Sequence, residues 1–214
     1  MKKIILFGDS ICLGYQKYVK NRLEGVVEVI YPEVNCAFAQ NVLRYANIWK
    51  DEFSLPEDAD LVHWNAGLWD VLRIMGDDVF TPPIFYGQLL ERLHKRFSLL
   101  YPKAKQVFAL STSVVEEGYD PPYQRYNADI EQFNQIAVEK LTPLGVSIND
   151  LYSLTKSAPK SCRSDVTHFN TEEGVLLVGE QVVKSICEQL NINDSDLKDS
   201  EAVLHNYSKK VIGW

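Results

Sequence analysis

Short apolar runs alternate along this chain with longer stretches whose apolar residues recur every three or four positions. Lys3–Phe7 is an apolar run that stops at Gly8-Asp9-Ser10, which predicts a buried strand followed by a turn. Leu13–Leu23 predicts a helix. Val26–Tyr31 is β-branched and bounded by Gly25 and Pro32, and predicts a second strand. Over Ala39–Lys50, Val42, Leu43, Ala46 and Trp49 share one helical face. Asp60–Trp64 predicts a third strand. Thr81-Pro82-Pro83 predicts the start of a long helix, with Thr81 as N-cap and Pro82 at the first helical position, ending at Tyr101-Pro102. Gln106–Leu110 and Gly145–Ile148 predict strands four and five. Between them a helix is expected to open at Asp120-Pro121-Pro122 and run to about Leu141. Asn170, with Glu173 three residues on, predicts the cap of a last helix whose face is Val175, Leu176, Val178, Val182, Val183 and Ile186.

Strands alternating with helices imply right-handed β-α-β units, hence an α/β/α sandwich around a five-stranded parallel sheet. In such sheets ligands bind beyond the carboxyl ends of the strands. Residues just after strands one and three therefore share one crevice.

Composition narrows the class. A chain that is 46% hydrophobic and 24% charged folds. Its net charge of −7 gives no positive field for phosphate backbones, so nucleic acid is not an expected partner. No apolar run approaches the ~18 residues of a membrane span, and the first run is too short for a secretory signal. A cytoplasmic location is expected. The four cysteines lack CxxC spacing and are expected as free thiols. Residues 1–190 are expected to form one domain and 191–214 a tail. The tail is polar at first, as a solvated linker would be, and closes on Trp214, which is placed to dock on the body or on a partner chain.

Several reactive motifs are missing. There is no GxGxxG, no GxxxxGK[ST], no HExxH and no GxSxG. The histidines, His63, His94, His168 and His205, have no metal-ligand spacing. What remains is Ser10, directly after strand one, and Asp165-Val166-Thr167-His168, before the last helix. A serine hydroxyl is a weak nucleophile until a base takes its proton. His168 can be that base, and Asp165 is close enough in sequence to fix the imidazole tautomer. Either element alone has an ordinary structural explanation: a serine after a strand is usually a helix cap, and DxxH arises by chance. Their combination at opposite ends of an α/β chain is more telling.

Ile5-Leu6-Phe7-Gly8-Asp9-Ser10-Ile11 resembles the first block of the SGNH, or GDSL-type, hydrolases. Ser164-Asp165-Val166-Thr167-His168-Phe169-Asn170 resembles their final block, built around Asp-X-X-His. The resemblance spans residues 3–190 and implies a flavodoxin-like fold. It also implies hydrolysis of esters or thioesters, often acyl groups on sugars or lipids, without a metal or organic cofactor. By this resemblance Ser10 is the nucleophile, His168 the base and Asp165 its orienting partner. The oxyanion would be held by the backbone N–H of Ser10 and by two further blocks, and both of those depart from the pattern. In Asn35-Cys36-Ala37-Phe38-Ala39-Gln40-Asn41 no glycine is present, and Gln40 matches the usual Gly by position. In Asn65-Ala66-Gly67-Leu68-Trp69-Asp70, Trp69 stands where the usual Asn donates, leaving Asn65 and Trp69 as rival donors. Asp9, Arg73, Tyr15, Phe169, Tyr119 and Tyr123 are candidates for substrate contact, although core packing is the ordinary role of each of these aromatics. The expected activity is a serine esterase acting on short acyl esters, with carbohydrate acetates first. A thioesterase, a lysophospholipase and a non-catalytic ligand-binding domain are the alternatives.

Overall fold

The computed structural model describes residues 1–208, so Trp214 and its expected docking lie outside the described residues. The first strand, β1 (Lys2–Phe7), loses all solvent contact at Ile4, Ile5, Leu6 and Phe7, as a strand covered on both faces must. It lies between β2 (Val27–Ile30) and β3 (Leu61–Trp64). A separate two-stranded sheet pairs β4 (Arg73–Ile74) antiparallel with β6 (Tyr123–Gln124). The main sheet continues from β3 to β5 (Lys105–Ala109) and β7 (Ser147–Asn149). Its order is β2-β1-β3-β5-β7, all parallel, which is the flavodoxin-like order. Ile5 lies in register with Ile30 on one side and Val62 on the other.

Among the described residues seven α-helices flank the sheet: α1 (Ser10–Arg22), α2 (Ala39–Glu52), α3 (Pro83–Leu100), α4 (Asn127–Leu141), α5 (Leu151–Lys156), α6 (Glu172–Leu190) and α7 (Ser200–Ser208). α1 packs on α6, while α2 packs on α3 and α3 on α4. An aromatic cluster joins sheet to helix: Phe7 stacks on Phe97 at 5.1 Å, and Trp64 meets Phe108 edge-on at 4.7 Å.

Several expected boundaries move for local reasons. Thr81 does not cap α3, because its hydroxyl donates to Asp70 Oδ1 at 2.8 Å. Pro82 is extended (ψ 138°) because a residue that precedes proline avoids the helical region, so α3 begins at Pro83. The helix expected at Asp120-Pro121-Pro122 starts only at Asn127, since Tyr123–Gln124 is taken up by β6. The last helix is capped by Thr171 rather than Asn170, with Thr171 Oγ1 accepting from the Gly174 N–H at 3.1 Å. The start of the tail is not a free linker. Arg22 on α1 pairs with Glu180 at 3.0 Å and Asp194 at 2.7 Å and donates to the Lys198 carbonyl. Val203 of α7 is buried with Tyr18 and Val175. Among the described residues no helix is long and apolar enough to cross a membrane.

Candidate active site

The site assembles where the chain leaves β1 and β3, the point at which strand order reverses. Ser10 opens α1. The residue before it, Asp9, is the N-cap, its Oδ1 accepting from the Ile11 N–H at 3.0 Å. Gly8 is required by close approach: a Cβ there would lie 2.1 Å from Asn65 Oδ1 and 2.4 Å from Cys12 Cβ. His168 arrives on the loop before α6, which is pinned by the Ser164 N–H donating to the His168 carbonyl at 3.0 Å.

His168 Nε2 lies 2.8 Å from Ser10 Oγ, and His168 Nδ1 lies 2.8 Å from Asp165 Oδ2 and 3.0 Å from Oδ1. Asp165 Oδ1 also accepts the backbone N–H groups of Thr167 and His168, each at 2.8 Å. Partial burial pushes Asp165 upward. The two N–H donors and the His168 ring outweigh it, and its carboxyl sits below the ordinary range. With the carboxylate as acceptor, Nδ1 carries a proton, and Nε2 is the ring nitrogen that faces Ser10.

These residues border a cavity of about 560 Å³ whose walls include Leu68, Trp69, Leu72, Tyr119, Tyr123 and Arg125. Trp69, a candidate oxyanion donor, lines it. Its rival Asn65 does not; it is buried beside Asp9 and Gly8. Gln40 is exposed near the start of α2 and its side chain lines a different groove, with Arg44 and Arg96.

Of the residues expected at the substrate, Tyr119 and Tyr123 line this cavity, whereas Asp9, Arg73, Tyr15 and Phe169 lie elsewhere. Asp9 is wholly buried as a cap. Burial raises its pKa, while the Asn65 amide, the Ile11 N–H and the charges of Arg125 and His168 work against that. Arg73 points away, pairing with Asp129 (Nε–Oδ2 2.9 Å, Nη2–Oδ1 3.2 Å). Tyr15 packs edge-on to His63 in the core because it sits on the sheet-facing side of α1. Phe169 is buried under the Arg163 guanidinium, 4.3 Å from its ring centroid. All four cysteines are free and buried, and burial holds the Cys36 thiol up at about 12. Among the described residues no group of three or more His, Cys, Asp and Glu is arranged to hold a metal ion.

Two residues escaped the sequence reading. Asp70 is fully buried and accepts from the Ala39 N–H (3.1 Å) and the Thr81 hydroxyl (2.8 Å), tying the loop after β3 to the start of α2. The WD pair that follows Gly67-Leu68 was its one visible signal. Arg125 lines the cavity and is almost wholly buried, and no motif marked it.

No family model and no curated protein matches this sequence. Solved structures match it in fold. A lipase/acylhydrolase from Enterococcus faecalis is 20% identical over 92% of this chain and 98% of its own, with a TM-score of 0.68. A carbohydrate acetylesterase from Sinorhizobium meliloti is 14% identical over 88% of this chain and 99% of its own, with a TM-score of 0.69. A GDSL-like lipase from Bacteroides thetaiotaomicron is 15% identical over 87% of this chain and 88% of its own, with a TM-score of 0.64. The chain has the fold of the SGNH, or GDSL-type, hydrolases.

Proposed function

We propose that this protein is a serine ester hydrolase that works through an acyl-enzyme. The observation that carries the reading is the continuous hydrogen-bonded relay from Asp165 through His168 to Ser10. Ser10 Oγ attacks the acyl carbonyl carbon while its proton passes to His168 Nε2. Asp165 holds the tautomer and stabilises the imidazolium. Collapse of the tetrahedral intermediate breaks the bond to the alcohol oxygen, which leaves with the proton from Nε2. Water then repeats the sequence on the acyl-enzyme and frees Ser10.

The oxyanion requires donors preorganised around it. The Ser10 N–H is one, at the first turn of α1, where N–H groups have no intrahelical acceptor. The Gln40 N–H, in the first turn of α2, is a second backbone candidate. Trp69 Nε1–H is the side-chain donor we favour, because Trp69 lines the cavity and Asn65 does not. The substrate we propose is a short acyl ester, an acetate of a carbohydrate above all. The neighbours described as an acetyl xylan esterase and a carbohydrate acetylesterase support that choice.

The test is an active-site fluorophosphonate probe, followed by a panel of p-nitrophenyl esters from acetyl to decanoyl beside acetylated sugars. Labelling at Ser10, with the highest kcat/KM on the shortest acyl chains, is expected. Ser10→Ala should abolish both labelling and turnover. Labelling that survives in Ser10→Ala, or a folded wild-type protein that neither labels nor hydrolyses any ester, defeats the proposal and leaves a ligand-binding domain.

A further inference from the structure

Arg125 is a charged side chain, 9% exposed, that lines the same cavity as Ser10 and His168. Burying a guanidinium is unfavourable unless an anion or a full set of acceptors meets it. Here its partners are few. Nε donates to the Leu68 carbonyl at 2.5 Å, and Nη1 reaches the Tyr119 hydroxyl at 3.5 Å. No carboxylate among the described residues forms an ion pair with it; its charge acts on the buried Asp9 without a hydrogen bond between them. Of the two acids that share the cavity, Asp165 is engaged by His168 and two N–H groups, and Asp120 is exposed on the rim.

The guanidinium is also held in place. Leu68 O fixes its Nε edge, and the Tyr119 ring, centred 5.8 Å from Cζ, lies beside it. Tyr119 is itself tied to Thr167 Oγ1 at 2.6 Å, on the loop that carries His168. This leaves the Nη2 edge with donors and no acceptor among the described residues. An anchored guanidinium with a free edge, in an otherwise largely apolar cavity, suits a planar two-oxygen anion better than a neutral group.

We propose that Arg125 is a specificity-determining residue that binds a carboxylate carried by the substrate, so that the preferred ester is anionic. This deepens the ester-hydrolase reading and rests on it for turnover, though not for binding. The charge can sit on the acyl group or on the alcohol.

Two matched pairs separate those sources. p-Nitrophenyl hydrogen succinate against p-nitrophenyl butyrate places the charge on the acyl side. m-Acetoxybenzoate against phenyl acetate places it on the alcohol side. For one pair the charged ester should have the higher kcat/KM by about tenfold or more, the usual scale of a charge-assisted hydrogen bond. In Arg125→Gln that ratio should fall to about one, whatever happens to the common rate, and Arg125→Lys should keep part of it. A scaffolding role for Arg125 would lower both members of a pair together and leave the ratio intact. No charged preference in the wild type, or a preference unchanged in Arg125→Gln, overturns the inference. Wild-type ratios near one for both pairs overturn the inference even should the variants fail to fold. If the wild type hydrolyses no ester, the hydrolase reading falls, and calorimetry with succinate and with m-hydroxybenzoate judges the inference alone. Binding of either that is lost in Arg125→Gln upholds it, while absent or unaltered binding overturns it.

Discussion

Trp69 and Asn65 present the same chemistry in different settings. Both carry an N–H donor near the end of β3. Trp69 lines the cavity and is partly open to it. Asn65 is 7% exposed, and its Oδ1 is buried with no donor, pressed towards Gly8. An indole donates and cannot accept, so at an oxyanion its one N–H can be directed only at the developing charge. Trp69→Phe retains most of the ring volume and loses that donor. It should lower kcat on p-nitrophenyl acetate by about 10²–10³ with a smaller change in KM. Asn65→Ala should instead lower thermal stability and leave kcat within about threefold. The reverse pattern transfers the donor role to Asn65. Gly67 supports this loop from below. Its φ of +153° disfavours a side chain, and a Cβ there would fall 2.2 Å from Ser111 Oγ.

At the scale of elements, the β1–α1 junction sets the position of Ser10. An added methyl at Gly8 meets Cys12 Cβ, which is fixed to the backbone of α1, so relief requires α1 to move. Gly8→Ala should therefore cost about 1–3 kcal/mol in urea-unfolding free energy. It should also lower kcat by about 10²-fold, since Ser10 is displaced from His168 Nε2. Wild-type stability together with wild-type kcat would show that the junction tolerates the methyl. That Gly8 mattered was legible in the sequence, although as a turn residue rather than as a site of close approach. Strands β1, β2, β3 and β5 were legible because each is an apolar or β-branched run. β4 and β6 were not, because two-residue strands carry no periodicity. Arg125 was invisible for a different reason: its partner Leu68 lies 57 positions away, and only the fold joins them. Tyr15 and Phe169 sit next to the motif residues in sequence, but motif spacing does not tell which aromatic faces the core. Ser10, Asp165 and His168 were legible because each follows or precedes a clear element end, and β-α-β topology places those ends together.

At the scale of the whole molecule, Asp70 couples the site to overall stability. Its carboxylate joins the loop after β3 to the first N–H of α2 and to Thr81 ahead of α3. Burial is the largest influence on it, and the neighbouring Asp9 adds to the effect. Hydrogen bonds from Thr81 and Ala39 oppose both without cancelling them, and its pKa is pushed up to about 7. In the unfolded chain an aspartate titrates near ~3.9. Between these values the folded protein holds a proton that the unfolded chain has released. The Asp70 contribution to stability is thus fully present below about pH 4, declines as pH rises, and is gone above about pH 7. A shift of this size corresponds to a few kcal/mol. Asp70→Asn lacks the titrating group and keeps an acceptor for Thr81. Titrating groups that do not interact with Asp70 act on both proteins alike and cancel in their difference, and Asp9 enters only through its coupling to Asp70. The unfolding free energy of Asp70→Asn minus that of the wild type should therefore rise in the variant's favour between pH 4.5 and pH 7.5, whatever its sign at pH 4.5. Urea melts of both proteins across that range measure it. A difference that stays constant to within about 0.5 kcal/mol would mean that Asp70 remains ionised in the fold, with the N–H of Ala39 and the hydroxyl of Thr81 holding its charge against burial.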